Sequence, residues 1–294
     1  MTRTITIPIG PVPNSSGTTR PRYRAPKNTC DSHVHIYDPR FKMKWPNLRA
    51  VASASVAEYR LLQERNGTTR TIVVQPAAYG TDNAVTLDAI AQLGETNARG
   101  IAVVHPTVTD TELIAMGKGG IRGIRFSQHE PRTAVTSAEM IEPLAHRAHR
   151  LGWHVQLHIR GDQIVEMAEL IAKLPGTIVF DHMGRMPQPE GNRHPAFDIL
   201  RRLLDTRRVW VKLSGPYLDT QVGPPRYTDV KPVAHALAEH APERCVWGSD
   251  WPHPTEPNVK PDDAVLFDLL QEWSLNETVR HRILVENPAA LYGF

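Results

Sequence analysis

The sequence lacks the features that mark several broad classes of protein. It has only two cysteines in 294 residues, too few for a disulfide framework, so we expect a protein of the reducing cytoplasm. No apolar stretch approaches the ~20 residues needed to cross a membrane, and the first residues do not resemble a signal peptide. The net charge is only +3 and no run of Lys or Arg occurs, so we expect no nucleic-acid partner.

Composition divides the chain into a short arm and one large domain. Residues 1–28 are rich in Pro, Arg, Ser and Gly, and we expect an extended arm, ordered only where it docks on the body. Residues 29–294 show no break in composition and are predicted to form a single catalytic domain. Within them, short apolar segments alternate with helical ones. The predicted strands cover residues 29–37, 71–75, 100–105, 121–126, 154–158, 177–182, 209–214 and 245–250.

This alternation predicts the fold class. Strands that alternate with helices form a parallel sheet covered by helices, and eight such units predict an α/β fold, a (β/α)8 TIM barrel. An open doubly wound sheet is the alternative, but no Gly-x-Gly-x-x-Gly follows a strand, which disfavours a dinucleotide-binding fold. The predicted helices cover residues 55–65, 82–93, 109–116, 137–151, 161–174, 196–205, 227–240, 262–273 and 276–285.

Two histidines stand two positions apart in the first predicted strand. Alternate side chains of a strand point to the same face, so His33 and His35 are expected to project together. Imidazole is the commonest metal ligand, and such a pair supplies half of a metal site. The alternative is simply a polar face of the strand.

Other polar residues follow apolar runs at the ends of the predicted strands. Arg125 ends strand 4, His158 ends strand 5, His182 ends strand 6 and Asp250 ends strand 8. In a barrel the carboxyl ends of the strands meet at one mouth, where the chemistry is placed. Several histidines and one carboxylate are the ligand set of a catalytic zinc site with a position open for water.

With these residues the chain resembles the amidohydrolase superfamily, a family of TIM barrels, and in particular its lactonase branch. That branch includes 2-pyrone-4,6-dicarboxylate lactonases and 4-sulfomuconolactone hydrolases. The most specific stretches are Asp-His-Met-Gly-Arg at 181–185 and Trp-Gly-Ser-Asp-Trp-Pro-His-Pro at 247–254. The resemblance runs from strand 1 to the last helix, and further matching stretches lie at 80–84, 99–103 and 120–126.

The resemblance implies a Zn²⁺ cofactor. The ligands would be His33, His35 and His182, with His158 or Asp250 as a further ligand. No Lys ends strand 4 to form a bridging carbamate, so one metal ion per chain is expected. A metal-free enzyme is the alternative, since the dicarboxylate lactonases resemble a metal-free variant that carries Tyr at the position of His158.

Two residues are expected to act on the substrate directly. Asp250 takes the proton from water as it attacks the lactone carbonyl, and later returns it to the leaving oxygen. His253 is expected to hydrogen-bond the carbonyl or a substrate anion. The superfamily branch also holds lactone isomerases with Asn at the position of Asp250, so the Asp present here favours hydrolysis.

Arginines provide the predicted binding site for a negatively charged substrate. A guanidinium group pairs bidentately with a carboxylate or sulfonate, and four arginines lie at or just after strand ends. Tyr217 falls where an arginine of the dicarboxylate lactonases is expected, which changes the predicted contacts to the substrate. The predicted substrate-binding residues are Arg125, Arg132, Arg160, Arg185 and Tyr217.

The expected activity is hydrolysis of an anionic lactone, of the 4-sulfomuconolactone or 2-pyrone-4,6-dicarboxylate type, in the breakdown of aromatic compounds. Two other activities stay open: metal-dependent decarboxylation of an aromatic or unsaturated acid, and hydrolysis of a sugar-acid lactone. A metal- or ligand-binding protein that has kept the barrel is the non-enzymatic alternative. No membrane partner is expected, and a homo-oligomer is possible.

Overall fold

The computed structural model describes residues 10–45, 51–130 and 134–294. Within these ranges eight parallel strands follow one another around a single sheet in the order β1 to β8. Each strand is short and buried, and β-branched or apolar residues dominate because both faces are covered. The strands are β1 (Cys30–Val34), β2 (Arg70–Val74), β3 (Ala98–Ala102), β4 (Ile121–Ser127), β5 (His154–His158), β6 (Ile178–Phe180), β7 (Val209–Leu213) and β8 (Cys245–Trp247).

The sheet closes where the end of β1 meets the end of β8. The amide of Asp250 donates to the carbonyl of His33 at 2.8 Å, and the amide of His35 donates to the carbonyl of Trp251 at 2.8 Å. Gly248 permits this approach, since a Cβ there would lie 2.7 Å from the Cβ of His33. The predicted TIM barrel is confirmed. We call the junction of β1 and β8, with His33, His35 and Asp250, the seam.

The helices cover the outside of the barrel and bury their apolar faces against the strands. Trp247 of β8, for example, packs edge-on against Phe267 of the helix that follows, with ring centroids 4.9 Å apart. No helix among the described residues is long and apolar enough to span a membrane. The helices are α1 (Val56–Asn66), α2 (Ala84–Leu93), α3 (Asp110–Lys118), α4 (Ile141–Arg150), α5 (Gly161–Glu166), α6 (Ala168–Lys173), α7 (Pro195–Asp205), α8 (Lys231–His240), α9 (Asp263–Trp273), α10 (Glu277–His281) and α11 (Asn287–Tyr292).

Four predicted helices differ from the structure. The helix predicted over 227–240 begins only at Lys231, the start of α8. The helix predicted over 137–151 begins as a short 3-10 turn, and α4 starts at Ile141. Pro143 has no amide hydrogen and fits only the first turn of a helix, which explains the later start. The helix predicted over 161–174 is two helices that meet at Met167, whose φ of −99° and ψ of 8° leave the helical range. The last predicted helix extends further, through a π-helical turn at Arg282–Glu286 into α11.

Residues 10–28 contain no helix or strand and lie against α1 and α9. Arg65 is buried and its guanidinium donates to the carbonyls of Thr19 and Ser16 at 2.8 and 3.0 Å. Asp268 accepts from the amides of Arg22 and Tyr23 at 3.0 and 2.8 Å. The division into an arm over 1–28 and one barrel domain over 29–294 stays a prediction.

Candidate active site

His33, in β1, and His35, just after the end of that strand, present one ring nitrogen each to the same point. Their Nε2 atoms lie 3.3 Å apart, and both side chains are buried. Nδ1 of His35 faces the carbonyl of Val74 at 2.8 Å, and a carbonyl only accepts, so this nitrogen carries the hydrogen. Nε2 of His35 is therefore free to act as a ligand. Burial and the nearby Lys212 hold the pKa of His33 well below its usual value, which keeps that ring neutral.

Asp250 completes a triangle of donor atoms at the seam. Its Oδ1 lies 3.5 Å from Nε2 of His33 and 3.5 Å from Nε2 of His35. Two donors bound to one Zn²⁺ at about 2.1 Å in a tetrahedral arrangement lie about 3.4 Å apart, which matches these separations. Donor atoms of His33, His182 and Asp250 also lie within 4.8 Å of one another. The backbone pairing of β1 with β8 sets these distances.

The turn after β6 brings His182 to the same place through an unusual backbone. His182, Met183, Gly184 and Arg185 have φ values of 49°, 56°, 69° and 48° in succession. A run of left-handed residues is costly for side chains other than Gly, and such strain clusters at functional sites. Gly215 lies close by, since a Cβ there would come within 2.9 Å of Nδ1 of His182.

A buried layer of charge lies beneath the histidines. Nζ of Lys212, on β7, donates to the carbonyl of Ser32 at 2.8 Å and lies 3.7 Å from Oδ1 of Asp181. The same Oδ1 is 3.3 Å from Nδ1 of His33. Burial lowers the pKa of Lys212 to about 8. Burial alone would raise the pKa of Asp181, but Arg125, His33 and Lys212 hold it well below the usual range. Asp181 therefore supports the ring of His33.

A second buried carboxylate fixes the seam from the other side. Asp31 accepts from the amide and the hydroxyl of Ser249 at 2.9 and 2.6 Å. It also accepts from the amide of His33 at 3.3 Å. Asp31 thus ties the residue before Asp250 to the strand that carries His33. Sequence reasoning missed this residue, although a carboxylate inside an apolar strand signals buried donors.

The opposite side of the mouth is cationic. We call Arg125, His158 and Arg185 the guanidinium side. The ring of His158 lies between the two arginines, with Nδ1 3.0 Å from Nη2 of Arg125 and Nε2 3.2 Å from Nη1 of Arg185. Burial and these cations hold the pKa of His158 well below its usual value. Both ring nitrogens of His158 face arginines, so its role as a metal ligand stays a prediction.

Both arginines of the guanidinium side already pair with carboxylates. Arg125 donates from Nε to Oδ2 of Asp181 at 2.9 Å. Arg185 donates from Nε and Nη2 to the two oxygens of Asp219 at 2.7 and 2.9 Å. This bidentate pair offsets part of the charge that the sequence assigned to substrate binding. Sequence reasoning did not single out Asp219.

The remaining predicted binding residues have different surroundings. Arg160 is exposed at the rim, where Nη1 donates to the carbonyl of His129 at 3.2 Å. Arg132 lies outside the described residues. Tyr217 and His253 are buried, and neither is among the described residues that line the cavity at the mouth. Their predicted contacts with the substrate therefore stay predictions that this geometry does not favour.

Tyr217 instead contacts the carboxylate of Asp250. Its hydroxyl donates to Oδ2 of Asp250 at 2.6 Å. Burial and that carboxylate raise the pKa of Tyr217 well above its usual value, so the hydroxyl keeps its proton. Burial would raise the pKa of Asp250, but His182, His35 and His33 more than offset it and hold the pKa well below the usual range. Asp250 is therefore ionised and able to accept a proton or bind a cation.

The donor set fits a zinc ion. Three imidazoles and one carboxylate are ligands that zinc takes in catalytic sites, and the donor separations at the seam agree with one shared ion. His35 has its other ring nitrogen fixed by a carbonyl, as is usual for metal-bound histidine. The residues that would hold the ion are His33, His35, His182 and Asp250.

Comparisons with known proteins identify the family of this chain. The family model described as "Amidohydrolase" matches residues 30–294, so the chain belongs to the amidohydrolase family. It is 35% identical to the 4-sulfomuconolactone hydrolase of Rhizobium radiobacter, over 92% of each chain. It is 31% identical to the 2-pyrone-4,6-dicarboxylate hydrolase of Comamonas testosteroni, over 93% of this chain and 92% of that one.

A solved structure shares the fold of this chain. The apo crystal structure of an Agrobacterium tumefaciens protein superimposes with a TM-score of 0.86 at 30% identity. The superposition covers 96% of this chain and 98% of the other. The predicted membership of the amidohydrolase superfamily is confirmed.

Proposed function

We propose that this protein is a zinc-assisted carboxylic-ester hydrolase that opens the ring of a small anionic lactone. The observation that carries the proposal is the triangle of donors at the seam, where Oδ1 of Asp250 lies 3.5 Å from each Nε2 of His33 and His35. The names of the two curated relatives support a lactone as the substrate class. We further propose a role in the breakdown of aromatic compounds and a location in the cytoplasm.

The chemistry follows from the positions of the side chains. A bound Zn²⁺ supplies a Lewis acid for the carbonyl or for water. Asp250, ionised and beside the histidines, takes the proton from the attacking water. The same carboxyl then gives that proton to the ring oxygen as the ester bond breaks, which yields an enol or alcohol and a carboxylic acid that loses its remaining proton to solvent. The guanidinium side lies across the mouth, where Arg125 and Arg185 orient a carboxylate or sulfonate of the substrate.

Metal analysis and an assay of lactones test the proposal together. We expect about one equivalent of zinc in the purified protein. Ring opening is followed by ultraviolet absorbance on a panel of unsaturated lactones with no, one or two fixed negative charges. Asp250→Asn should lower kcat by roughly 10²–10⁴-fold, the usual contribution of a general base. Asp198→Asn, an exposed carboxylate on α7, is the matched control and should keep the parent rate.

Three outcomes would contradict the proposal. Turnover of the panel by Asp250→Asn at the parent rate would remove Asp250 as the base. Release of CO2 from an aromatic acid, with no lactone opened, would point to decarboxylation instead. Bound metal with no turnover of any kind would favour a binding protein that has kept the barrel.

A sugar-acid lactone is the second candidate substrate, and one feature of the guanidinium side favours it. Arg125 and Arg185 are already paired with Asp181 and Asp219, which reduces the charge available to a dianion. A lactone with one carboxylate and several hydroxyls suits such a mouth. Adding a sugar-acid lactone to the panel separates the two candidates by kcat/KM.

A further inference from the structure

Three buried residues form a chain of hydrogen bonds behind the carboxylate of Asp250. Tyr217 follows β7, His253 follows β8 and Asp263 begins α9. The hydroxyl of Tyr217 is 2.6 Å from Oδ2 of Asp250 and 2.9 Å from Nδ1 of His253. Nε2 of His253 is 3.1 Å from Oδ2 of Asp263. His253 and Asp263 are fully buried, so solvent does not compete for these bonds.

The direction of each bond follows from the number of hydrogens. An ionised carboxylate only accepts, so the single hydroxyl hydrogen of Tyr217 points to Asp250. The contact with His253 then requires Nδ1 to donate to the oxygen of Tyr217. A further hydrogen must lie between Nε2 of His253 and the carboxylate of Asp263. The chain is therefore polarised from Asp263 toward Asp250, and no member can turn without losing a partner.

The two oxygens of Asp250 thus have separate partners. Oδ1 faces Nε2 of His33 and His35, and Oδ2 faces Tyr217. A carboxylate free to rotate would also adopt orientations in which its lone pairs point away from the histidines. Asp250 has a backbone φ of 64°, a left-handed conformation that is uncommon for residues other than Gly. Other contacts must therefore stabilise it.

We propose that Tyr217, His253 and Asp263 are positioning residues that fix the carboxylate of Asp250, so that Oδ1 alone faces the histidine cluster. This assigns to Tyr217 and His253 a role behind the base, in place of contact with the substrate. The effect on rate rests on the proposed function, but the effect on the geometry of Asp250 does not.

The amino-terminal segment supports the far end of the chain of bonds. The hydroxyl of Ser15 accepts from the amide of Asp263 at 3.2 Å, and the carbonyl of Pro13 accepts from Nε1 of Trp251 at 2.8 Å. Nζ of Lys260 donates to the carbonyl of His253 at 2.8 Å. The loop that carries Asp250 and His253 is therefore held at several points, as an element that positions a base requires.

Tyr217→Phe is the first test, made in the full-length, zinc-loaded protein. It removes the hydrogen to Oδ2 and keeps the ring. We expect kcat to fall by roughly 10–100-fold, the usual cost of losing an orienting outer partner, with KM changed by less than about twofold and zinc retained. Tyr227→Phe is the matched control, since that ring is also buried and its centroid is 6.4 Å from that of Tyr217. A rise in KM at constant kcat would show that Tyr217 binds the substrate and would overturn the proposal.

Variants of His253 separate positioning from packing. His253→Gln keeps an N–H that can donate to Tyr217, and His253→Leu does not. We expect Gln to restore part of the kcat that Leu loses, with similar melting temperatures for the two variants. Equal kcat in both variants would contradict a positioning role.

A crystal structure of Tyr217→Phe decides the proposal without any assay. The carboxylate of Asp250 should turn from the orientation seen here. An unchanged position of both oxygens would overturn the proposal even if the parent protein opens lactones. If the parent opens no lactone but the carboxylate turns in the variant, the positioning role stands and the proposed function fails.

Discussion

The two sides of the barrel mouth are built in different ways. At the seam, backbone hydrogen bonds between β1 and β8 set the spacing of His33, His35 and Asp250, and the donor atoms lie 3.3–3.5 Å apart. On the guanidinium side, Arg125 lines the mouth and Arg185 contacts His158, which also lines it, and both arginines are held by carboxylates. The seam is thus fixed by the main chain, whereas the guanidinium side is fixed by ion pairs.

This difference separates chemistry from specificity. Reacting groups must be placed within a fraction of an ångström, and a closed barrel provides that accuracy because its strands cannot slide. Charge recognition tolerates more movement and can be changed by one acidic partner, as Asp219 illustrates for Arg185. We therefore expect changes at the seam to abolish activity, and changes on the guanidinium side to alter the choice of substrate.

The largest effect is expected for His35→Ala compared with His158→Ala. Loss of a ligand at the seam should remove zinc and lower kcat by about 10³-fold, equivalent to several kcal/mol of transition-state stabilisation. His158→Ala should retain zinc, because both ring nitrogens of His158 face arginines. Metal content and kcat are measured on the same samples. Loss of zinc in both variants would make His158 a ligand and would erase the distinction between the two sides.

A second prediction concerns His154, at the opposite end of the strand that carries His158. Burial lowers the pKa of His154 to about 3, against 6.5 for the unfolded chain. Between these values the unfolded state binds more protons, so stability is lost as pH falls from 6.5 toward 3. The loss between pH 7 and pH 4 is about 3 kcal/mol for this group. Urea unfolding at both pH values should show a smaller loss for His154→Leu.

The exposed His146 supplies the control for that comparison. His146→Leu should leave the difference between pH 7 and pH 4 unchanged. An equal acid sensitivity of the parent and His154→Leu would show that His154 is not responsible.

A smaller effect is expected for Arg185→Met. Hydrogen bonds between charged groups contribute about 1.5–3 kcal/mol, so KM for an anionic lactone should rise by roughly 10–100-fold. KM for a neutral ester of similar size should change far less. Arg202→Met, an exposed site on α7, controls for loss of charge in general. The same loss on both substrates would exclude a charge-binding role for Arg185.

The smallest effect is expected for Asp219→Asn. This change frees Arg185 from a partly buried ion pair, and such pairs contribute up to about 1 kcal/mol. KM for a dianionic lactone should therefore fall by roughly twofold to fivefold relative to KM for a monoanionic one. Asp205→Asn breaks the ion pair with His240 outside the barrel and should change neither value. A fall in KM for both lactones alike would show that Asp219 does not select by charge.

Much of the fold could be predicted from the sequence, because the patterns that indicate strands and helices lie within short segments. Apolar runs of five or six residues, separated by helical segments, predict each strand within a few positions. The helix start at Ile141 shows the limit, since Ser137 looks like a cap but Pro143 decides where the helix begins. A capping residue alone does not show whether the α-helix begins directly after it or one turn later.

Less of the site could be predicted from the sequence, because its supporting contacts join residues far apart in the chain. Lys212 alternates with apolar residues in its strand, and only the closed barrel shows that it lies between Ser32 and Asp181. Asp219 follows a short turn and gave no signal of its own. His253 stands three residues after Asp250, which suggested contact with the substrate, but the loop folds it inward to Tyr217.

The strand order, the histidines and carboxylate at the strand ends, and the family could all be predicted from the amino-acid sequence. These follow from periodicity and from residue types, which are properties of short segments. Tertiary structure alone decided which atoms face one another: Oδ1 of Asp250 toward the histidines, Oδ2 toward Tyr217, and each arginine toward a carboxylate. Such distances depend on the closure of β1 on β8 and on side-chain packing, so no short segment contains them.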